Sequence, residues 1–122
     1  RRCVPLKVSG PFHSALLEGA GEKLAAQLAA VTVHDPVIPY LSNVEAAPVT
    51  DSSRVKELLA KQVSGTVRWR ETMERMLAEG VDTFIEIGPG KTLTGFLRKI
   101  SRDVGAYNVE KVEDLEKLPL LL

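Results

Sequence analysis

The sequence predicts an α/β protein in which helices cover the faces of a largely parallel sheet. Two observations carry this prediction. Short β-rich segments alternate with amphipathic helical segments along the 122 residues, and a Gly-Pro turn stands between strand and helix at residues 10–11 and again at residues 88–90. Strands that alternate with helices in this way pair in parallel, because each helix carries the chain back across the sheet.

Composition places the chain among ordinary globular domains, since 44% of its residues are hydrophobic and 26% are charged. Sixteen basic and sixteen acidic residues cancel without forming a block of one sign, which argues against a nucleic acid or an anionic membrane as partner. No apolar run reaches the roughly 18 residues of a membrane helix. Cys3 is the single cysteine and fits a reducing compartment, so we expect a cytoplasmic protein.

The amino-terminal elements are a short strand, a turn and a long helix. Residues 3–8 are apolar enough for a strand, which Gly10 and Pro11 end. Residues 14–30 place apolar side chains at helical spacing, and Gly19 and Gly21 within them suggest that another backbone packs closely there. The predicted inward stripe is Leu16, Leu17, Ala20, Leu24 and Leu28. A chain that begins at Arg1 and turns apolar at once also resembles a piece of a longer protein.

The middle of the chain predicts a strand at residues 37–42, a loop at 45–53 and a helix that ends at Gly65. Asp51 or Ser52 is expected to cap this helix. A further helix follows Val67 and ends at Gly80.

The last third predicts a buried strand at residues 82–87, in which Glu86 needs a hydrogen-bonding partner. A sharp turn and a helix at 91–100 follow it. We expect a strand at 106–109, a helix at 110–118 capped by Asn108, and a disordered tail at 119–122.

Several chemical motifs can be tested directly on the residues. Gly88-Pro89-Gly90-Lys91-Thr92 resembles the end of a phosphate-binding loop, but Ile85 stands where that motif requires a glycine. No serine has the flanking glycines of a Gly-x-Ser-x-Gly nucleophile turn. Two histidines without a carboxylate cluster give little support to a metal site, and nothing activates Cys3. His13, at the mouth of a helix, is a candidate acid or base; the alternative is an incidental turn residue.

Five short segments, taken in order, resemble the carboxy-terminal part of bacterial malonyl-CoA:acyl-carrier-protein transacylases and the related acyltransferase domains of polyketide synthases. The similarity runs from about residue 5 to residue 118, but it covers less than half of a complete family member. The segments are Val8-Ser9-Gly10-Pro11-Phe12-His13-Ser14, Leu41-Ser42-Asn43-Val44, Lys61-Gln62-Val63, Val67-Arg68-Trp69 and Glu86-Ile87-Gly88-Pro89-Gly90-Lys91.

The resemblance implies a two-step acyl transfer that needs no bound cofactor and no metal. In the family, a serine attacks the malonyl thioester, a histidine takes its proton, and the phosphopantetheine thiol of acyl carrier protein then receives the malonyl group. His13 matches that histidine, and Gln62 matches a glutamine whose main-chain carbonyl orients the imidazole. Phe12 matches a position that accompanies selectivity for malonyl over methylmalonyl groups, and the structural turn Gly88-Pro89-Gly90 is expected near the site.

The resemblance also implies what this chain lacks. Residues 1–122 would be an incomplete part of an α/β-hydrolase-like acyltransferase core. The half that carries the nucleophile, with its oxyanion-hole loop and the arginine that pairs with the malonyl carboxylate, is absent, as is the inserted ferredoxin-like subdomain. The amino-terminal half of the same protein is therefore an expected partner, and the chain alone is expected to be inactive. The alternative is a non-catalytic α/β module used for binding or scaffolding.

Overall fold

A computed structural model describes residues 9–120 of the chain, and their side chains as far as Glu116. The expected strand at residues 3–8, Cys3 and residues 121–122 lie outside the described part. The chain divides after Thr72 into two compact units.

The first unit contains two helices and a β-hairpin. A short 3-10 turn, Ala15–Leu17, leads into helix α1, Glu18–Ala29, and strands β1, Tyr40–Ser42, and β2, Ala47–Val49, precede helix α2, Ser52–Ser64. Helix α1 packs along α2, and α2 also contacts β2. Val49, Leu58 and Ser42 are buried in this unit. Helix α3, Trp69–Ala78, begins in the first unit and ends in the second.

The second unit contains the parallel strands that the sequence predicted. Strand β3, Thr83–Ile87, pairs in parallel with β4, Gly105–Val109, and helix α4, Thr92–Ile100, connects them and contacts both. Leu97, Ala106 and Val109 are buried here. A 3-10 segment, Val112–Leu120, follows β4. Parallel pairing across a helical connection confirms the α/β prediction.

The predicted loop at residues 45–53 is wrong, because it contains β2. This strand pairs antiparallel with β1, and the pairing sets Pro48 opposite Leu41. Ala46, with a φ of 54°, forms the tight turn of the hairpin. A proline lacks the N–H of a strand residue, so it is tolerated only at a sheet edge; in a two-stranded hairpin each strand is an edge. The predicted strand at residues 37–42 is correspondingly short, since pairing begins at Tyr40.

The helix caps were predicted in part. Asp51 caps α2 by accepting the backbone N–H of Ser53 at 2.8 Å. The expected cap at Asn108 is wrong: its side-chain amide donates to the carbonyl of Gly90 at 3.2 Å. The backbone N–H groups of Glu110 and Lys111 instead donate to the carboxylate of Asp114.

The inward stripe predicted for residues 14–30 is only partly correct. Leu17 and Leu28 are half-buried, but Leu16 in the 3-10 turn is 81% exposed, and Ala20 and Leu24 are also exposed. The close backbone approach suggested by the two glycines is found at Gly21, where a Cβ atom would meet the Ala60 carbonyl oxygen at 3.0 Å. At Gly19, no described residue outside the local helix backbone lies within 4 Å of the corresponding position.

Candidate active site

The site begins at a strained turn before α1. His13 has a φ of 57°, in the left-handed region that only a few per cent of residues other than glycine adopt. The hydroxyl of Ser14 donates to the Pro11 carbonyl at 2.7 Å, and the backbone N–H of Leu17 donates to the Ser14 carbonyl at 3.0 Å. These two bonds close the turn around His13. A non-glycine residue held in this conformation marks a place where function can explain the strain.

The structure brings His13 and Gln62 together across 49 residues of sequence. The Nδ1 atom of His13 lies 2.8 Å from the main-chain carbonyl oxygen of Gln62. A carbonyl oxygen only accepts hydrogen bonds, so Nδ1 carries the hydrogen and donates it. In the neutral ring the Nε2 atom then keeps a free lone pair, which is the form a general base requires.

The carbonyl of Gln62 is available because α2 ends two residues later. The last four carbonyls of a helix have no partner within it unless the chain beyond the helix supplies one. Gly65, at the end of α2, adopts an extended conformation with φ −77° and ψ 154°, and its N–H donates to Lys61. The carbonyl of Gln62 therefore bonds the imidazole in place of an intrahelical N–H.

The side-chain amide of Gln62 contributes less than its main chain. Its Nε2 atom lies 3.5 Å from Nδ1 of His13. That distance is at the limit for a hydrogen bond, and an amide N–H cannot donate to a ring nitrogen that already carries a hydrogen. The geometry thus favours the carbonyl as the group that holds the ring.

Phe12, beside His13, has an exposed ring that lies against the backbone of Gly10. A Cβ atom at Gly10 would come within 3.2 Å of the Phe12 ring. The side chain is 65% exposed. Gly10 therefore leaves room for an aromatic ring next to the histidine.

The turn Gly88-Pro89-Gly90 lies in the second unit, between β3 and α4. Gly88 and Gly90 have φ angles of 139° and 87°, where a side chain would be strained. The N–H of Gly88 donates to the Val109 carbonyl at 3.0 Å, and Asn108 holds Gly90. The expectation that this turn lies near His13 stays a prediction.

Glu86 has the hydrogen-bonding partners that the sequence predicted it to need. Its carboxylate accepts the backbone N–H groups of Leu93 and Thr94, at 3.1 and 2.8 Å, and the hydroxyl of Thr94 at 2.7 Å. The backbone N–H of Thr94, followed by its hydroxyl, holds the pKa of Glu86 below its ordinary value. A strand carboxylate thereby caps the start of α4, in a position favoured by the helix dipole.

Two further observations concern a metal site and a membrane-spanning helix. Within residues 9–120, no three or more histidine, cysteine, aspartate or glutamate side chains are placed to hold a metal ion. The same residues contain no helix with the length and apolar character needed to cross a membrane.

Comparison with known proteins identifies the relatives of this chain. It is 44% identical over 116 residues to the malonyl CoA-acyl carrier protein transacylase of Bacillus subtilis, a match that covers 95% of this chain and 37% of that protein. The transacylase of the same name from Synechocystis is 42% identical over 118 residues. The chain is homologous to one part of these transacylases. It spans about two fifths of their length, and no family profile matches it.

Solved structures of such transacylases support the same conclusion. The acyl-carrier-protein S-malonyltransferase of Bartonella henselae matches 99% of this chain with a TM-score of 0.89 and 43% identity, across 38% of its own length. The Streptococcus pneumoniae enzyme gives the same score and identity. A further match, at 34% identity and a TM-score of 0.85, is a malonyl-transacylase in complex with a type II PKS acyl-carrier protein. The predicted resemblance is therefore confirmed.

The sequence marked His13 as a candidate through its place before a helix, whereas Gln62 was predicted only through the resemblance. Spacing alone cannot relate His13 to Gln62, because nothing in a helical pattern marks which carbonyl near its end is used. The glycine pair in α1 was the signal in the residues themselves, since it indicated where a second backbone approaches.

Proposed function

We propose that residues 1–122 form the carboxy-terminal part of the catalytic domain of a malonyl-CoA:acyl-carrier-protein transacylase of fatty acid biosynthesis. In this proposal His13 is the general base, and the main-chain carbonyl of Gln62 orients it. One observation carries the assignment: Nδ1 of His13 donates to that carbonyl at 2.8 Å, which leaves Nε2 free to accept a proton. The similarity to transacylases over nearly the whole chain supports it.

The first half of the reaction requires a serine from another part of the complete protein. Nε2 of His13 takes the hydroxyl proton while the serine oxygen attacks the malonyl thioester carbonyl. The carbon–sulfur bond then breaks, coenzyme A leaves as a thiol with the proton from His13, and malonyl-serine remains. The second half runs in the same way with the phosphopantetheine thiol of acyl carrier protein as nucleophile.

The Gln62 carbonyl has two effects in this scheme. It keeps the hydrogen on Nδ1, so that Nε2 faces the reaction as a base. Its negative partial charge, together with the carboxyl end of α2, stabilises the imidazolium that forms when Nε2 is protonated. An aspartate has this function in the serine protease triad, where a full charge rather than a helix end supplies the stabilisation.

The substrates in this proposal are malonyl-CoA and the acyl carrier protein, with no bound cofactor, and the site of action is the cytoplasm.

Phe12 contributes selectivity, because a ring beside the acyl group leaves no room for a branching methyl. A hydrophobic pocket discriminates one methyl by about 10- to 200-fold. Replacing Phe12 with alanine in the complete protein should lower the malonyl to methylmalonyl ratio of kcat/KM; an unchanged ratio would remove this role.

The decisive experiment combines the sequence of the complete gene with an assay of malonyl transfer by its product. The complete coding sequence should contain a Gly-His-Ser-x-Gly segment upstream of residue 1, and its product should transfer malonyl groups from malonyl-CoA to acyl carrier protein. The 122-residue chain alone should show no transfer, because it has no activated serine. Turnover by the isolated chain, or a complete protein without transferase activity, would overturn the proposal.

A further inference from the structure

Helix α1, which lies wholly within the described residues, buries one residue, Gly21. A Cβ atom built at this position would stand 3.0 Å from the carbonyl oxygen of Ala60 in α2 and 3.8 Å from the Cβ of Val63. The first distance is shorter than ordinary contacts between carbon and oxygen. The two backbones therefore approach as closely as they do because position 21 has no side chain.

This contact lies next to the candidate site along both helices. Ala60 precedes Gln62 by two residues on α2. On the other side, α1 continues without a break from the 3-10 turn Ala15–Leu17, which itself contacts α2 and is separated from His13 by Ser14 alone. A displacement of α1 away from α2 would therefore be transmitted to His13.

We propose that Gly21 is a positioning residue for the catalytic base. By letting α1 rest on the backbone of α2, it sets the separation at which Nδ1 of His13 reaches the Gln62 carbonyl at 2.8 Å. The consequence for catalysis rests on the proposed function; the consequence for the hydrogen bond does not.

A methyl group at position 21 tests the idea because the atom it meets cannot easily yield. The Ala60 carbonyl lies inside α2, and moving it would disturb the helix. The contact is relieved instead when α1 moves outward by a few tenths of an ångström. The Nδ1 to carbonyl distance then stretches toward the long end of the hydrogen-bond range, where the bond weakens and the ring orientation loosens.

Gly19 provides a matched control within the same helix. It lies two residues from Gly21, and a Cβ atom there would meet none of the described residues beyond the local helix backbone within 4 Å. Alanine at either position raises helix propensity by about 1 kcal/mol. The two substitutions therefore differ in whether the added methyl meets α2.

The experiment compares Gly21→Ala, Gly19→Ala and the double variant in the complete protein. We expect Gly21→Ala to lower kcat for malonyl transfer about 5- to 20-fold with an unchanged KM for malonyl-CoA, because small misplacements of a catalytic group cost rate rather than affinity. Gly19→Ala should keep the kcat of the unmodified protein. The double variant should show the loss of Gly21→Ala, with the added helix propensity protecting its fold.

A second readout follows the hydrogen bond itself. In proton NMR, the Nδ1-bound hydrogen of His13 should move upfield in Gly21→Ala and stay in place in Gly19→Ala. Equal kcat and equal proton positions in the two single variants would overturn the proposal, as would unfolding of both variants that carry alanine at 21. If the unmodified protein had no transferase activity, the proposed function would fail while the proton shift would still test the contact.

Discussion

Two turns of this chain lead into helices by opposite means. At residues 9–14 the left-handed conformation falls on His13, a residue with a large side chain, whereas at residues 88–90 it falls on glycines. The N-cap residues Ser14, Leu17 and Lys91 make no side-chain cap, but α4 is capped from β3 by the carboxylate of Glu86. Backbone strain thus falls on the turn that holds the proposed base, and the other turn uses glycine.

The largest expected effect comes from removing the side chain that the strained turn presents. His13→Asn in the complete protein should lower malonyl transfer about 10²- to 10⁴-fold, the usual contribution of a positioned base. Asparagine tolerates positive φ, so the thermal unfolding midpoint should stay close to that of the unmodified protein. His34→Asn, at the other histidine, is the control. If His13→Asn retained its activity, the strain at His13 would have no catalytic purpose, and the contrast between the two turns would fail.

A substitution in the glycine turn at residues 88–90 should change the free energy of unfolding. Gly90→Ala forces a side chain into a φ of 87° and should cost about 1–2 kcal/mol of unfolding free energy. Gly95→Ala lies inside α4, and no residue of the described part beyond the local helix backbone comes within 4 Å of its Cβ position, so it should instead stabilise by up to about 1 kcal/mol. Chemical denaturation of both variants measures the contrast. Equal stabilities would show that the turn does not require glycine.

The cap of α4 should make stability depend on pH in the acid range. Hydrogen bonds hold the pKa of Glu86 below its ordinary value near 4.5, so its carboxylate stabilises the fold fully above that value. The stabilisation is lost as pH falls through the lowered pKa, where the folded protein takes up the proton. Glu86→Gln should therefore be less stable than the unmodified protein at pH 7, with a difference that narrows below about pH 4.

The control for this titration is Glu113→Gln, at an exposed glutamate of the same unit. Its unfolding free energy should follow that of the unmodified protein at each pH. A Glu86→Gln difference that stayed constant from pH 7 to pH 3 would contradict the capping role.

The smallest expected effect concerns Gln62. Gln62→Ala removes the amide but keeps the main-chain carbonyl at 2.8 Å from Nδ1, so malonyl transfer should change less than about threefold. Steady-state kinetics of malonyl transfer by Gln62→Ala and His13→Asn, measured side by side, test this expectation. A loss as large as that of His13→Asn would show that the amide takes part, despite its distance of 3.5 Å.

The sequence predicted α1 to α4 and the parallel pair well, because their apolar spacing and glycine ends are local signals. The helix predicted at residues 110–118 is instead the 3-10 segment Val112–Leu120. It missed β2, since an antiparallel pair two strands wide can include Pro48, which ordinarily argues against a strand. Asn108 was mistaken for a cap because its amide serves a tertiary contact with Gly90. Leu16 shows the same limit: helical spacing indicates a stripe, but the packing partner decides which of its residues are buried.

The two residues of the candidate site differ in how far the sequence predicts them. His13 was marked by its place in a turn before a helix, but its partner is a main-chain atom, and main-chain atoms leave no signature in residue types. The two glycines of α1 look equivalent in sequence. Only the approach of α2 to one of them distinguishes Gly21 from Gly19.

With His13 as the proposed base, its left-handed conformation sets stability against activity at a single position. Glycine there would relieve the strain of the left-handed turn and would carry no proton acceptor. A library at this position selected for heat resistance alone should therefore enrich His13→Gly, while selection for growth that depends on the proposed malonyl transfer by the complete protein should keep the histidine. The two selections would separate what the fold prefers from what the reaction needs.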